Sequence, residues 1–177
     1  MQRGAATPFF NKFVGQCGRR TATAGNCCAS WKLCNRAGKQ HPAFEQAIAD
    51  GADWIELDVH QTKDGVVVTH DEGLKRIAAI PKNVWELTYD ELARYDVGSW
   101  FSTDYSDLRV AKLDEVLKLC KGKIKLNIEL KPTGHEPDFE QHVLDLIHEN
   151  DYKEGEYILA SLNADALKTL KRLEPNV

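Results

Sequence analysis

Two acids stand one residue apart in Glu56-Leu57-Asp58, and a third lies in Leu126-Asn127-Ile128-Glu129-Leu130-Lys131. On a β-strand, side chains at i and i+2 share a face. Two carboxylates on one face repel and resist burial unless a positive group sits between them. A divalent cation is the simplest such group, and oxygen ligands suit Ca²⁺ or Mg²⁺. Taken alone, Glu-x-Asp fits an exposed, solvated edge equally well. Asn127, Glu129 and Lys131 repeat the spacing on a second apolar run. His70 closes a third run, Val66-Val67-Val68-Thr69-His70, and is followed by Asp71. A histidine at that point suits proton transfer to a leaving alkoxide or from a nucleophile. Lys131 would add positive charge beside an anion, and a cation would polarise a phosphoryl or carbonyl oxygen. Three strand ends that each deliver ionisable groups are expected to form one rim, the place where barrel enzymes carry their sites.

The elements that must position these residues begin near Pro42. Residues 42–49 read as a short helix with Pro in its first turn and Gly51 past its end. Residues 54–59 alternate as a strand, Asp64-Gly65 signals a turn, and 66–70 form the next strand. Thr88 and Glu91 make a capping box for a helix to about Tyr95. Residues 113–120 and 138–149 read as helices, 124–130 and 157–162 as strands, and Asn163 as the cap of a last helix. Phe139, Val143, Leu144 and Ile147 are expected to face inward from an acidic outer helix. Except for a hairpin-like or closely spaced pair at 54–70, strands alternate with helices, which predicts a largely parallel α/β sheet, either doubly wound or a barrel. Four strands are too few for a closed barrel of eight.

The chain has 177 residues, 42% of them hydrophobic, and a formal charge of -4. That supports one domain with its own core and gives no basic face for nucleic acid. No apolar run is long enough to span a membrane, and the first 30 residues lack the apolar centre of a secretory signal. A cytoplasmic protein is the resulting expectation, except that a leader lost from an unreliable N-terminus stays open. Residues 1–41 are rich in Gly, Ala, Thr, Cys and Arg without a helical or strand period. Cys17, Cys27, Cys28 and Cys34 lack the paired spacing of a zinc site. Cys120 closes an apolar helical stretch and reads as a small buried hydrophobe.

The linked motifs resemble the glycerophosphodiester phosphodiesterase family. They run from Gly51 through Val59, then Thr62-Lys63-Asp64-Gly65, His70-Asp71, Asp96-Val97-Gly98-Ser99-Trp100-Phe101, Leu113-Asp114-Glu115-Val116-Leu117 and Asn127 through Pro132. The resemblance covers residues 42–177 and implies a (β/α)8 barrel of the phospholipase C-like type. Here the barrel would be partial, without its first strand and its C-terminal strands. It implies hydrolysis of small-molecule glycerophosphodiesters to glycerol 3-phosphate and an alcohol. It assigns Glu56, Asp58 and Glu129 to Ca²⁺ or Mg²⁺, His70 to acid/base catalysis, and Lys131 to the phosphate region. Trp100 and Phe101 would line the substrate mouth, although core packing explains them equally well.

The family's first strand ends in His-Arg-Gly, followed by Pro-Glu-Asn, and neither motif appears. His-Arg-Gly belongs near Ala29-Ser30-Trp31 and Pro-Glu-Asn near Ala37-Gly38-Lys39. Codons GCA-TCG-TGG for Ala29-Ser30-Trp31, read one base later, spell His-Arg-Gly, and Pro-Glu-Asn emerges downstream in the same frame. Residues 20–41 are therefore expected to be out-of-frame text, and the chain is expected to hydrolyse weakly or not at all. The underlying bases decide this: if they do not spell both motifs in that frame, the idea fails. Competing readings are a phospholipase D-like phosphodiesterase on the same barrel and a non-catalytic binding fragment. A glycoside hydrolase fits poorly, since its acids flank a sugar ring. His60, His135, His142 and His148 read as surface residues.

Overall fold

The computed structural model describes residues 41–176. Apart from His41, the segment expected to be anomalous, with its four clustered cysteines, lies outside the described residues. Among the described residues eleven main elements follow in order: α1 (His41–Ala49), β1 (Trp54–Gln61), β2 (Val66–Val68), α2 (Lys75–Ala78), α3 (Tyr89–Leu92), β3 (Ala111–Lys112), α4 (Leu113–Cys120), β4 (Lys125–Leu130), α5 (Phe139–Glu149), β5 (Tyr157–Ala160) and α6 (Ala164–Leu173), with short 3-10 turns at Val84–Glu86 and Thr103–Tyr105. The strands form one sheet in the order β3-β2-β1-β4-β5.

Alternation decides which face of this sheet packs. Ile55, Leu57 and Val59 of β1 and Leu126, Ile128 and Leu130 of β4 are all fully buried. They join Phe44 of α1, Val116 and Leu117 of α4, and Phe139, Val143 and Ile147 of α5 in the main core. The helices therefore cover the apolar face, and the opposite face is left to polar side chains. α1 ends as anticipated: Gly51 adopts a φ of +71°, where a side chain would be strained, and Ala52 N–H bonds back to Ala47 O at 3.1 Å. Asn163 caps α6 by accepting from the N–H groups of Asp165 and Ala166.

Three elements differ from the sequence reading. The Thr88 capping box is present, but α3 stops at Leu92, and Arg94 and Tyr95 continue with i→i+3 bonds. A fifth strand exists, β3, only two residues long and too short for a periodicity to register. β1 runs on past Val59 to Gln61; the hairpin-like pair expected at 54–70 is present, β2 lying antiparallel to β1 with Val59 opposite Val68 and Gln61 opposite Val66. Thr62 N–H and Oγ1–H both bond Gly65 O and close that hairpin.

A second apolar cluster holds the long excursion between β2 and β3. It comprises Val67, Leu74, Ile77, Val84, Leu87, Leu92, Val97 and Val110. At its edge Asp96 accepts the N–H groups of Gly98, Ser99 and Asp107 and the Ser99 hydroxyl. These bonds pull its carboxyl far below the usual carboxylate range. Gly98 is needed here, because a Cβ would fall 1.9 Å from Tyr105 O and 2.9 Å from Tyr105 C. Main-chain atoms cannot swing away as a side-chain tip can. Gly98→Ala should cost about 3 kcal/mol. Urea denaturation would show a lower midpoint with an unchanged slope, and an unshifted midpoint would contradict this packing.

Candidate active site

The parallel pairing of β1 with β4 builds the site. Its register sets Glu56 beside Asn127 and Asp58 beside Glu129. Laterally paired residues project from the same face, so the polar side chains of two strands converge. Ligand oxygens of Glu56, Asp58 and Glu129 all lie within 4.8 Å of one another. Asp58 is buried, and the two glutamates are partly so. On the same face the buried Asn127 Oδ1 has no hydrogen-bond partner. An unsatisfied buried oxygen beside converging carboxylates fits a hard cation. Oxygens around Ca²⁺ at about 2.4 Å span up to about 4.8 Å, and those around Mg²⁺ span about 4.2 Å.

Lys131 sits where the two strands end. Its N–H bonds Val59 O at 3.1 Å, and its ammonium lies 3.1 Å from Asp58 Oδ1 and 3.2 Å from His70 O. It thus links the carboxylate cluster to the histidine. His70 joins the site by a route other than the one expected. It does not stand on the C-terminal rim of a parallel strand. Because β2 is antiparallel, the chain returns along β1, Thr69 N–H bonds Asp58 O at 3.0 Å, and His70 arrives level with the carboxylates. The groups therefore come from two parallel strands and the returning arm of a hairpin.

A cleft of about 370 Å³ opens at this point, lined by His60, His70, Asp71, Glu72, Lys131, Pro132 and Thr133. A second, of about 350 Å³, lies on the other side of Lys131 along Glu129, Ser161, Leu162 and Asn163. Trp100 lines neither. Its indole lies under Arg76, 4.7 Å from the guanidinium carbon, because Trp100 Nε1–H is tied to Val97 O at 2.8 Å.

His60 corrects the sequence reading, which placed it on the surface. It is 3% exposed, and its ring Nε2 lies 3.4 Å from His70 O. Alternation through Glu56 and Asp58 continues to residue 60, so a strand ended at Val59 hides it. The loop after β4 shields it. Glu136 knots that loop by accepting from the N–H groups of Thr133, Gly134 and His135. His135 stacks on Trp85 at 4.5 Å, and Gln61 reaches both Pro137 O and His142.

Burial pushes the His60 pKa down to about 4. The positive charges of Lys131 and His70 push the same way, against the pull of the His70 carbonyl and Glu136. Unfolded, this ring takes a proton near 6.5. Between those values the unfolded state binds more protons, so stability is full above 6.5 and is lost as pH falls toward 4. From pH 7 to pH 5 the loss should be about 2 kcal/mol, and His60→Gln should abolish that increment. Equal pH slopes for the two proteins in urea unfolding would remove His60 as the cause.

Among the described residues, no helix is long and apolar enough to cross a membrane. Residues 37–177 match the glycerophosphoryl diester phosphodiesterase family. The glycerophosphodiester phosphodiesterase of Bacillus altitudinis is 36% identical over 139 residues, which is 76% of this chain and 56% of that protein. The lysophospholipase D GDPD1 of Rattus norvegicus is 50% identical over 96 residues, 50% of this chain and 30% of that one. A phosphodiesterase of Oleispira antarctica, solved in complex with the product sn-glycerol-3-phosphate, superposes with a TM-score of 0.73 at 26% identity. The match covers 81% of this chain and 60% of that one. The chain spans about half the length of the curated relatives it matches, and its five-stranded sheet is part of a (β/α)8 barrel. The chain belongs to the glycerophosphoryl diester phosphodiesterase family.

Proposed function

We propose that this chain carries the metal-binding and acid/base part of a site that hydrolyses glycerophosphodiesters to glycerol 3-phosphate and an alcohol. The observation that carries the reading is the meeting of Glu56, Asp58 and Glu129 beside Lys131 and His70. The three carboxylates would hold a divalent cation, Ca²⁺ or Mg²⁺. Such an ion supplies Lewis acidity toward a phosphoryl oxygen. Lys131 offers an ammonium to the phosphate from between the two clefts. His70 then stands on the leaving-group side, where it releases a proton to the departing alkoxide. The second acid/base residue that the family pattern places in His-Arg-Gly is not among the described residues, and loss of one such group costs about 10²–10⁴ in rate.

The likeness to a lysophospholipase D over half the chain favours a second reading, in which the substrate keeps an acyl chain. Choline is the leaving alcohol in both cases. The purified chain would be given Ca²⁺ or Mg²⁺ with glycerophosphocholine or lysophosphatidylcholine, and choline release and cation binding would be followed together. Release should stop with EDTA and in His70→Ala. Turnover that survives either treatment, or a protein that binds neither cation, would refute the proposal.

A further inference from the structure

Through Asp71, which lines the cleft, the ring of His70 is tied to residues outside it. Its Nδ1 lies 2.7 Å from Asp71 Oδ1. The other oxygen of Asp71 accepts Arg76 Nε–H at 2.5 Å. Arg76 in turn stacks on Trp100, in the loop that Asp96 organises. Separately, Lys131 and His60 contact the main-chain carbonyl of His70, at 3.2 and 3.4 Å. Two sets of contacts thus act on one residue, one on its backbone and one on its ring.

We propose that Arg76 is a positioning residue. By occupying one oxygen of Asp71 it aims the other at His70 Nδ1, which fixes the Nδ1–H tautomer and leaves Nε2 to serve the cleft. This rests on the reading of His70 as the acid/base group and supplies the reason its proton leaves from one nitrogen. The protonation site of an imidazole is set by the bond its other nitrogen makes. An ionised carboxylate only accepts, so a ring nitrogen facing it must carry the hydrogen. Burial would raise the Asp71 carboxyl, but the bonds from Arg76 and His70 outweigh that and hold it below its ordinary value. In the proton-transfer step the Nε2–H bond of the imidazolium breaks and an O–H bond forms on the leaving alkoxide. The ring ends neutral, with Nδ1–H still donated to Asp71. Arg76 is about half exposed, so replacing it empties no core.

The test is ¹⁵N NMR of the imidazoles in the whole 177-residue chain, without added cation, at a pH where histidines are neutral. The His70 signal is assigned by its loss in His70→Gln. In the unaltered chain His70 should show a protonated Nδ1 and a bare Nε2. Arg76→Ala should shift it toward a mixture of the two forms. Asp71→Asn should invert it: Arg76 claims the amide oxygen, and the NH₂ faces Nδ1 and drives the proton to Nε2. Asp71→Asn with Arg76→Ala should relax that inversion. An unaltered chain already in the Nε2–H form, or an Asp71→Asn protein that keeps Nδ1–H, would overturn the assignment. If Arg76→Ala does not fold, Asp71→Asn decides alone. None of these signals needs turnover or a bound cation, so a protein that binds neither cation would strike the proposed function and leave this inference standing.

Discussion

Lys131→Met should destabilise the cation-free protein by about 3 kcal/mol and enlarge the stabilisation that Ca²⁺ or Mg²⁺ confers. Lys131 places its ammonium 3.1 Å from Asp58, whose side chain is 3% exposed. Removing one partner of a buried pair leaves the other charge uncompensated, which costs about 3–5 kcal/mol. The lower figure applies because Lys131 is itself 24% exposed. Methionine keeps the length and apolar stem, so the loss isolates the charge. A bound cation restores positive charge to the same oxygens and contributes RT ln(1 + [L]/Kd), about 2.7 kcal/mol at a hundredfold excess over Kd. Urea unfolding of both proteins, in EDTA and in saturating cation, should show a large gap in the first condition and a small one in the second. A gap of equal size in both would mean that the lost stability comes from the Lys131 bond to the His70 carbonyl, not from its charge beside Asp58. Phosphate recognition should suffer at the same time, with weaker binding of glycerol 3-phosphate.

Glu129→Gln should lower affinity for the cation by about a hundredfold and reduce any hydrolysis at least as much. Calcium affinity follows the number of ligand charges and the rigidity of the site. The amide preserves shape and one oxygen but withdraws one of three converging negative charges. Because Glu129 pairs laterally with Asp58 in the β1–β4 register, the substitution leaves the strands in place. Calorimetric titration of Ca²⁺ into both proteins measures the change, with the exposed Glu149→Gln as a control that should bind normally. Equal affinities for Glu129→Gln and the unaltered chain would take Glu129 out of the ligand set.

Much of this site was legible from residue order. Period-two alternation placed Glu56 with Asp58 and Asn127 with Glu129, and apolar Ile55, Leu57, Ile128 and Leu130 fixed the opposite face as core. What alternation cannot give is pairing direction. Asp64-Gly65 does mark residues 54–70 as a hairpin-like pair, and the tight turn at Thr62–Gly65 makes β2 an antiparallel return, but residue order does not show that this return sets His70 level with Asp58. His60 lies beyond the last obvious hydrophobe of β1, Val59, so residue order alone leaves it outside the strand. The loop beside it, which shares its cleft through Thr133 and acts on its ring through the charge of Glu136, lies far along the chain. Arg76 carried no signal at all. Its bond to Asp71 is set by the way the excursion between β2 and β3 folds over its own small core.

The parallel pairing of β1 with β4 also bears on how the protein reaches its native state. Trp54 meets Lys125 across a separation of 71 residues, while β1 meets β2 across a turn of four. Closing the longer loop costs about 4 kcal/mol of chain entropy, so the hairpin can form early and the parallel ladder must come late. The carboxylates straddle that late junction: Glu56 and Asp58 arrive with the hairpin, Glu129 only with β4. A cation held by these three acids would therefore find its full set of ligands only after the slow closure, and its effect would fall mainly on the rate at which the finished sheet comes apart.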